Sequence, residues 1–94
     1  MEPVHYEWDP PKRQVNLQKH GLDFRRAYLV YEHPNKVILP DDYPDEERWH
    51  DLAAIKGVVY ILIYTYRHEK VRIISFRKAT PTETAIYYEE ISNR

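Results

Sequence analysis

The clearest periodicity lies in the middle of the chain. Residues 58–66 and 71–76 are rich in β-branched and aromatic side chains, the composition of strands that pack against something. Between them Arg67-His68-Glu69-Lys70 is polar and short enough for a hairpin, although it lacks the Asn-Gly or Asp-Gly of the tightest turns. A shorter run over 36–39, closed by Pro40, predicts another strand. The segment 48–55 stays open on pattern alone. Trp49, Leu52 and Ala53 fit a helical stripe, yet turn signals flank them at Pro44-Asp45 and Gly57.

Closing the hairpin at Arg67 and Lys70 sets a register. One face then pairs Thr65 with Arg72, Ile63 with Ile74 and Ile61 with Phe76. The other pairs Tyr66 with Val71, Tyr64 with Ile73, Leu62 with Ser75 and Tyr60 with Arg77. A one-residue slip exchanges the two faces.

Helix signals bracket the strands. Asp9-Pro10-Pro11 offers a capping carboxylate before prolines that the first helical turn tolerates, and Gly21 supplies a left-handed stop after His20. Asp23 starts a second helix whose Phe24, Ala27, Tyr28 and Tyr31 form one stripe, ended by His33-Pro34. Tyr28 and Tyr31 are therefore expected in the core. Thr80-Pro81-Thr82-Glu83 reads as a capping box, followed by Thr84, Tyr87, Tyr88 and Ile91 on one packing face. A short N-terminal strand, two helices, consecutive strands and a terminal helix predict an α+β fold with an antiparallel sheet. With no repeat or linker, residues 1–94 are expected to form one domain.

Composition narrows the function classes. A hydrophobic fraction of 43% with only two glycines is that of a folded chain. The absence of cysteine removes disulfides, thiol catalysis and thiolate zinc sites. The longest apolar run, 58–64, is far short of the ~20 residues of a membrane span. An N-terminus with neither basic nor apolar leader character points to the cytoplasm. The formal charge of −1 hides segregation: 12–26 carries five bases and one acid, 41–51 six acids and one base, 67–78 five bases and one acid.

Basic side chains near tyrosines suit single-stranded RNA, with cations for phosphates and rings for unpaired bases. Cleavage of RNA without metal needs a base for the 2′-hydroxyl proton, cations for the charge growing on phosphate, and an acid for the leaving 5′-oxygen. Arg67, Arg72, Arg77 and Lys78 fit the cationic role, and Tyr, Glu, Lys or His side chains fit the other two. The plainer reading makes the same residues solvated charges on the rim of a sheet. His5, His20, His33, His50 and His68 lack metal-ligand spacing, so neither metal nor cofactor is expected. His20, in the last turn of its helix, has a structural alternative in contact with the terminal carbonyls. The acidic run 41–51 lacks the glycine and ligand spacing of a calcium loop and reads as a solvated connection.

Several spaced motifs resemble one family. Tyr6-Glu7-Trp8-Asp9-Pro10, Lys12, Asn16, Lys19-His20-Gly21 and Phe24 are similar to the opening of the BrnT toxins. Arg48-Trp49 with Leu52, Tyr64-Thr65-Tyr66-Arg67, Arg72-Ile73-Ile74-Ser75, Arg77, Ala79-Thr80 and Glu83 continue the resemblance in order, over roughly 5–88. It departs at Ala53, where relatives usually have Gly, and at the glycine-free hairpin turn. The resemblance implies a RelE-like ribonuclease fold: a curved antiparallel sheet with two N-terminal helices and a C-terminal helix, in which 48–55 is a strand. It also implies a type II toxin–antitoxin module, with a BrnA-like ribbon-helix-helix antitoxin as partner, RNA as substrate, and operator DNA reached only through the complex.

Carried over residue by residue, the resemblance makes Arg77 the phosphate-binding arginine and gives Arg67 and Arg48 roles in positioning or charge stabilisation. Glu83 is a candidate general base, with its place in the capping box as an alternative reason to be there. Lys12, Lys19, His20, Arg72, Lys78 and Tyr64 are candidate RNA contacts. A non-catalytic binding module of the same fold is the competing expectation.

Overall fold

The computed structural model describes residues 2–40 and 44–94. The chain runs β1 (Tyr6–Glu7), α1 (Pro10–His20), a 3-10 turn (Phe24–Arg26), α2 (Tyr28–Tyr31), β2 (Val37–Pro40), β3 (Trp49–Ile55), β4 (Val58–Arg67), β5 (Lys70–Lys78) and α3 (Pro81–Ser92). Asp41 and Asp42, at the start of the expected acidic connection, lie outside the described residues. The strands form one sheet in the order β1-β5-β4-β3-β2. All pairs are antiparallel except the short β1 beside β5.

Residues 49–55 resolve the ambiguous segment as a strand, paired with β2 on one side and β4 on the other. Its central residues Asp51, Leu52 and Ala53 are buried on both faces of the sheet, which is why their pattern also fits a helical stripe. The β3–β4 turn is Lys56-Gly57, with φ of 51° and 82°. Two successive left-handed residues match the twist of the flanking strands, and glycine meets that need without strain. His68 and Glu69 make the equivalent turn between β4 and β5 with φ of 52° and 62°. The hairpin thus closes between Arg67 and Lys70 as the sequence predicts.

The register beyond the turn differs from the simple ladder. Tyr66–Val71, Thr65–Arg72 and Tyr64–Ile73 pair as expected, but Ile63 then lies opposite Ser75. Ile74 is the extra residue of a β-bulge. Downstream pairs become Leu62–Phe76, Ile61–Arg77 and Tyr60–Lys78. Uniform alternation would place Ser75 in the core under the N-terminal helices and Phe76 on the opposite face. The bulge reverses that, burying Phe76 and returning Ser75 and Arg77 to the face that carries Arg72.

Helices cover both sides of the sheet. Phe24, Ala27 and Val30 of the 3-10 turn and α2 segment pack on Ala53, Leu62, Tyr64, Val71, Ile73 and Phe76 of the sheet. On the other side Tyr87 of α3 packs with Val37, Leu52, Val59 and Ile61. The expected second helix is a 3-10 turn followed by a single α-helical turn. With three residues per turn at its start, Phe24, Ala27 and Val30 align inward. Tyr28, expected in the core, is displaced to solvent, and Tyr31 stays partly buried. In α3 Tyr87 is buried but Tyr88 is exposed, so that stripe is narrower than expected.

Three caps follow the sequence and one does not, the first being Asp23, whose Oδ1 accepts from Arg25 N–H at 2.9 Å at the start of the 3-10 turn. Gly21, at φ 70°, closes α1 with its N–H on the Leu17 carbonyl. At α3, Thr80 Oγ1 accepts from Glu83 N–H and the Glu83 carboxylate accepts from Thr80 N–H, completing the capping box. Asp9 stands at the N-cap of α1 but makes no side-chain capping bond. Pro11 removes one of the N–H groups such a carboxylate would reach.

Asp51, read from sequence as part of a solvated connection, is fully buried in β3. Its Oδ2 accepts from Lys36 Nζ at 2.8 Å and its Oδ1 from the Tyr64 hydroxyl at 3.0 Å. Burial pushes its carboxyl above the ordinary range, opposed by the Lys36 ammonium and the Tyr64 hydroxyl bond. Lys36 also lies 4.2 Å from the centre of the Tyr31 ring.

Candidate functional site

The sheet face turned away from the 3-10 turn and α2 carries, by register, Ile61, Ile63, Thr65 and Arg67 from β4 and Lys70, Arg72, Ser75 and Arg77 from β5. The bulge is what makes this set possible. Arg72 and Arg77 are five residues apart and would otherwise occupy opposite faces. Sequence reading missed the bulge, and its signal was the adjacent Ile73-Ile74 pair that interrupts the alternation.

Helix α1 brings its cations to the same place. Beyond the two residues that β1 covers, the outer edge of β5 is occupied by the Asn16 side chain. Its Nδ2 donates to the Phe76 carbonyl at 2.8 Å and the Leu22 carbonyl at 3.0 Å, and its Oδ1 accepts from Phe76 N–H at 3.2 Å. This buried amide substitutes for a neighbouring strand at one position and fixes the helix against the sheet edge. A hollow of about 290 Å³ opens beside that contact, lined by Lys12, Val15, Lys19, His20, Ile74 and Ser75 among others.

A second, smaller hollow of about 100 Å³ adjoins it, with Lys12 and Ile74 common to both. Arg48, Arg67 and Arg72 converge there with Lys12, alongside Asp9 and Glu46. The Thr65 hydroxyl donates to the Glu47 carbonyl at 2.6 Å, tying the approach to β3, and so Arg48, to β4. Arg48 Nε lies 3.2 Å from Glu46 Oε1, and Arg72 Nη1 lies 3.6 Å from Glu7 Oε1. Arg67 is exposed.

Arg77 shares the sheet face of Ser75, which lines the first hollow. Its two terminal nitrogens donate to the two Glu83 oxygens at 2.8 and 3.0 Å, and Nη1 also donates to the Lys78 carbonyl. The Arg77 guanidinium is the main reason that the Glu83 carboxyl is lowered to about 2, with help from Thr80. His20 is drawn below its ordinary range by desolvation and then by the charges of Lys19 and Arg77. The imidazole and the guanidinium therefore share one electrostatic neighbourhood.

Lys12, Lys19 and His20 thus line the first hollow and Lys12, Arg48, Arg67 and Arg72 the second, while Arg77, paired with Glu83, shares the sheet face of Arg72 without lining either. Tyr64 is a correction. Its ring is 1% exposed on the opposite face, stacked with Trp49 and bonded to Asp51, so no base can reach it. Lys78 is exposed but pairs with Tyr60 on that opposite face and lines neither hollow. Among the described residues, no group of three or more His, Cys, Asp and Glu side chains is arranged to hold a metal. No helix of the described residues is long and apolar enough to cross a membrane.

A mostly antiparallel α+β sheet with a cation-lined cleft beside its bulged strand defines a domain suited to a polyanionic ligand. The family model of the ribonuclease toxin BrnT of type II toxin–antitoxin systems matches residues 8–83, and the chain belongs to that family. No curated protein matches the chain.

Proposed function

We propose that the cleft binds single-stranded RNA and cleaves it without metal, through attack of a 2′-hydroxyl on the adjacent phosphate. One observation carries this reading: the bulge puts Arg77 on the sheet face of Arg72, and the Asn16 clamp sets Lys12, Lys19 and His20 of α1 around a hollow that Ser75 of the same face also lines. In the proposed mechanism Arg77 receives the scissile phosphate. A guanidinium fork already organised for two carboxylate oxygens has the geometry that two phosphate oxygens need. Glu83 orients that fork, since a carboxyl lowered to about 2 is a poor proton acceptor. Arg48, Arg67, Arg72 and Lys12 hold the flanking backbone.

The partner we propose is a BrnA-like ribbon-helix-helix antitoxin that lays an acidic segment over the cleft and alone contacts operator DNA. The net charge of +4 over 67–78 supports an acidic contact there. Induced expression in a bacterial host, wild type beside Arg77→Ala, tests the reading through growth and total RNA integrity. Arrest with RNA decay in the wild type alone is expected. Intact RNA and normal growth with folded wild-type protein favour the binding-only alternative.

A further inference from the structure

We infer that His20 is the general base of this site, taking the proton from the attacking 2′-hydroxyl; the role rests on the ribonuclease reading above. Among the described residues His20 is the one histidine that lines either hollow. The structural task open to it, bonding the last carbonyls of α1, is not what it does. Gly21 supplies the closing N–H to Leu17, and the His20 ring makes no hydrogen bond among the described residues. A half-buried imidazole with an uncommitted nitrogen at the wall of an anion-binding cleft is available to substrate.

Its surroundings favour the neutral, proton-accepting form. Lys12 and Lys19 come from α1 itself and Arg77 from β5, while Glu83 at the start of α3 is engaged by Arg77. Desolvation and the Lys19 and Arg77 charges disfavour the imidazolium. Arrival of a phosphate offsets those charges, so the same ring becomes a stronger base once RNA is bound. In the step itself the imidazole lone pair takes the 2′-hydroxyl proton as the O2′–phosphorus bond forms. The phosphorus–O5′ bond then breaks, and the departing oxygen takes a proton from water. The products are a 2′,3′-cyclic phosphate and a 5′-hydroxyl, and His20 returns its proton to solvent.

The test is cleavage of a short synthetic RNA by purified toxin in EDTA, from about pH 5 to 9, with wild type, His20→Ala and His20→Gln. Wild-type kcat/KM, which reports the free enzyme, is expected to fall on the acid side with a break below the ordinary histidine range. Both variants should lose about 10²–10⁴-fold in rate and the acid limb with it. Free imidazole should restore His20→Ala, while binding of an all-2′-deoxy analogue, which cannot react, stays within about threefold of wild type. Wild-type rates or a retained acid limb in either folded variant overturn the assignment, as does loss of analogue binding in proportion to rate. Failure of the wild type itself to cut overturns the ribonuclease reading instead.

Discussion

Replacing Asn16 with Ala removes three hydrogen bonds at once and makes none. Phe76 loses a partner for both its N–H and its carbonyl on the outer edge of β5, and Leu22 loses one for its carbonyl. Asn16 is buried, so water replaces these bonds poorly. Leaving a buried backbone group unsatisfied costs about 1–3 kcal/mol, and the two Phe76 groups with a smaller share from Leu22 give about 3 kcal/mol in all. For a domain of this size that lowers Tm by roughly 12–24 °C. Asn16→Asp is expected to be at least as damaging near neutrality, because a carboxylate then faces two carbonyl oxygens. Its folded pKa is raised, so the deficit shrinks below the unfolded carboxyl value of ~3.9 and is complete once pH passes the folded value. Thermal melts of the three proteins across the acid range read this directly. A Tm drop under about 4 °C for Asn16→Ala would refute the claim that this amide closes the sheet edge.

The ion pair of Glu83 makes a second, smaller prediction. Its folded carboxyl lies at about 2 against an ordinary 4.5, so its contribution is complete above the ordinary value and is lost as pH falls toward the folded one. After allowance for solvent screening this amounts to about 1 kcal/mol, and Glu83→Gln should flatten that part of the acid-unfolding profile. If the cleft binds RNA through phosphates, Arg67→Ala with Arg72→Ala should weaken binding. The pair should also reduce the slope of log affinity against log salt by about 1.4, measured by fluorescence anisotropy at several salt concentrations.

What the sequence revealed follows from the range of each interaction. The capping box at Thr80 and the Gly21 stop involve neighbours along the chain, and both formed as read. The hairpin closure between Arg67 and Lys70 was local as well. Asn16 meets Phe76 across sixty residues, so its spacing carried no sign of the clamp. Asp51 looked like one more acid in a charged run, and only the fold brings Lys36 and Tyr64 to it. The bulge at Ile74 had a local trace, but alternation alone does not say which side of the break faces the core. That choice decided the site, because it moved Arg77 onto the face of Arg72 and left Tyr64 on the other.

In the proposed reaction this cleft cleaves RNA without metal, with Arg77 on the phosphate. Incubating a defined single-stranded RNA with purified wild type and Arg77→Ala in EDTA, then analysing the new ends, tests it most directly. Wild type is expected to leave 2′,3′-cyclic phosphate and 5′-hydroxyl ends, and the variant to lose at least about 10²-fold in rate. Equal cleavage by Arg77→Ala, or cleavage that appears only when a divalent metal is restored, contradicts it.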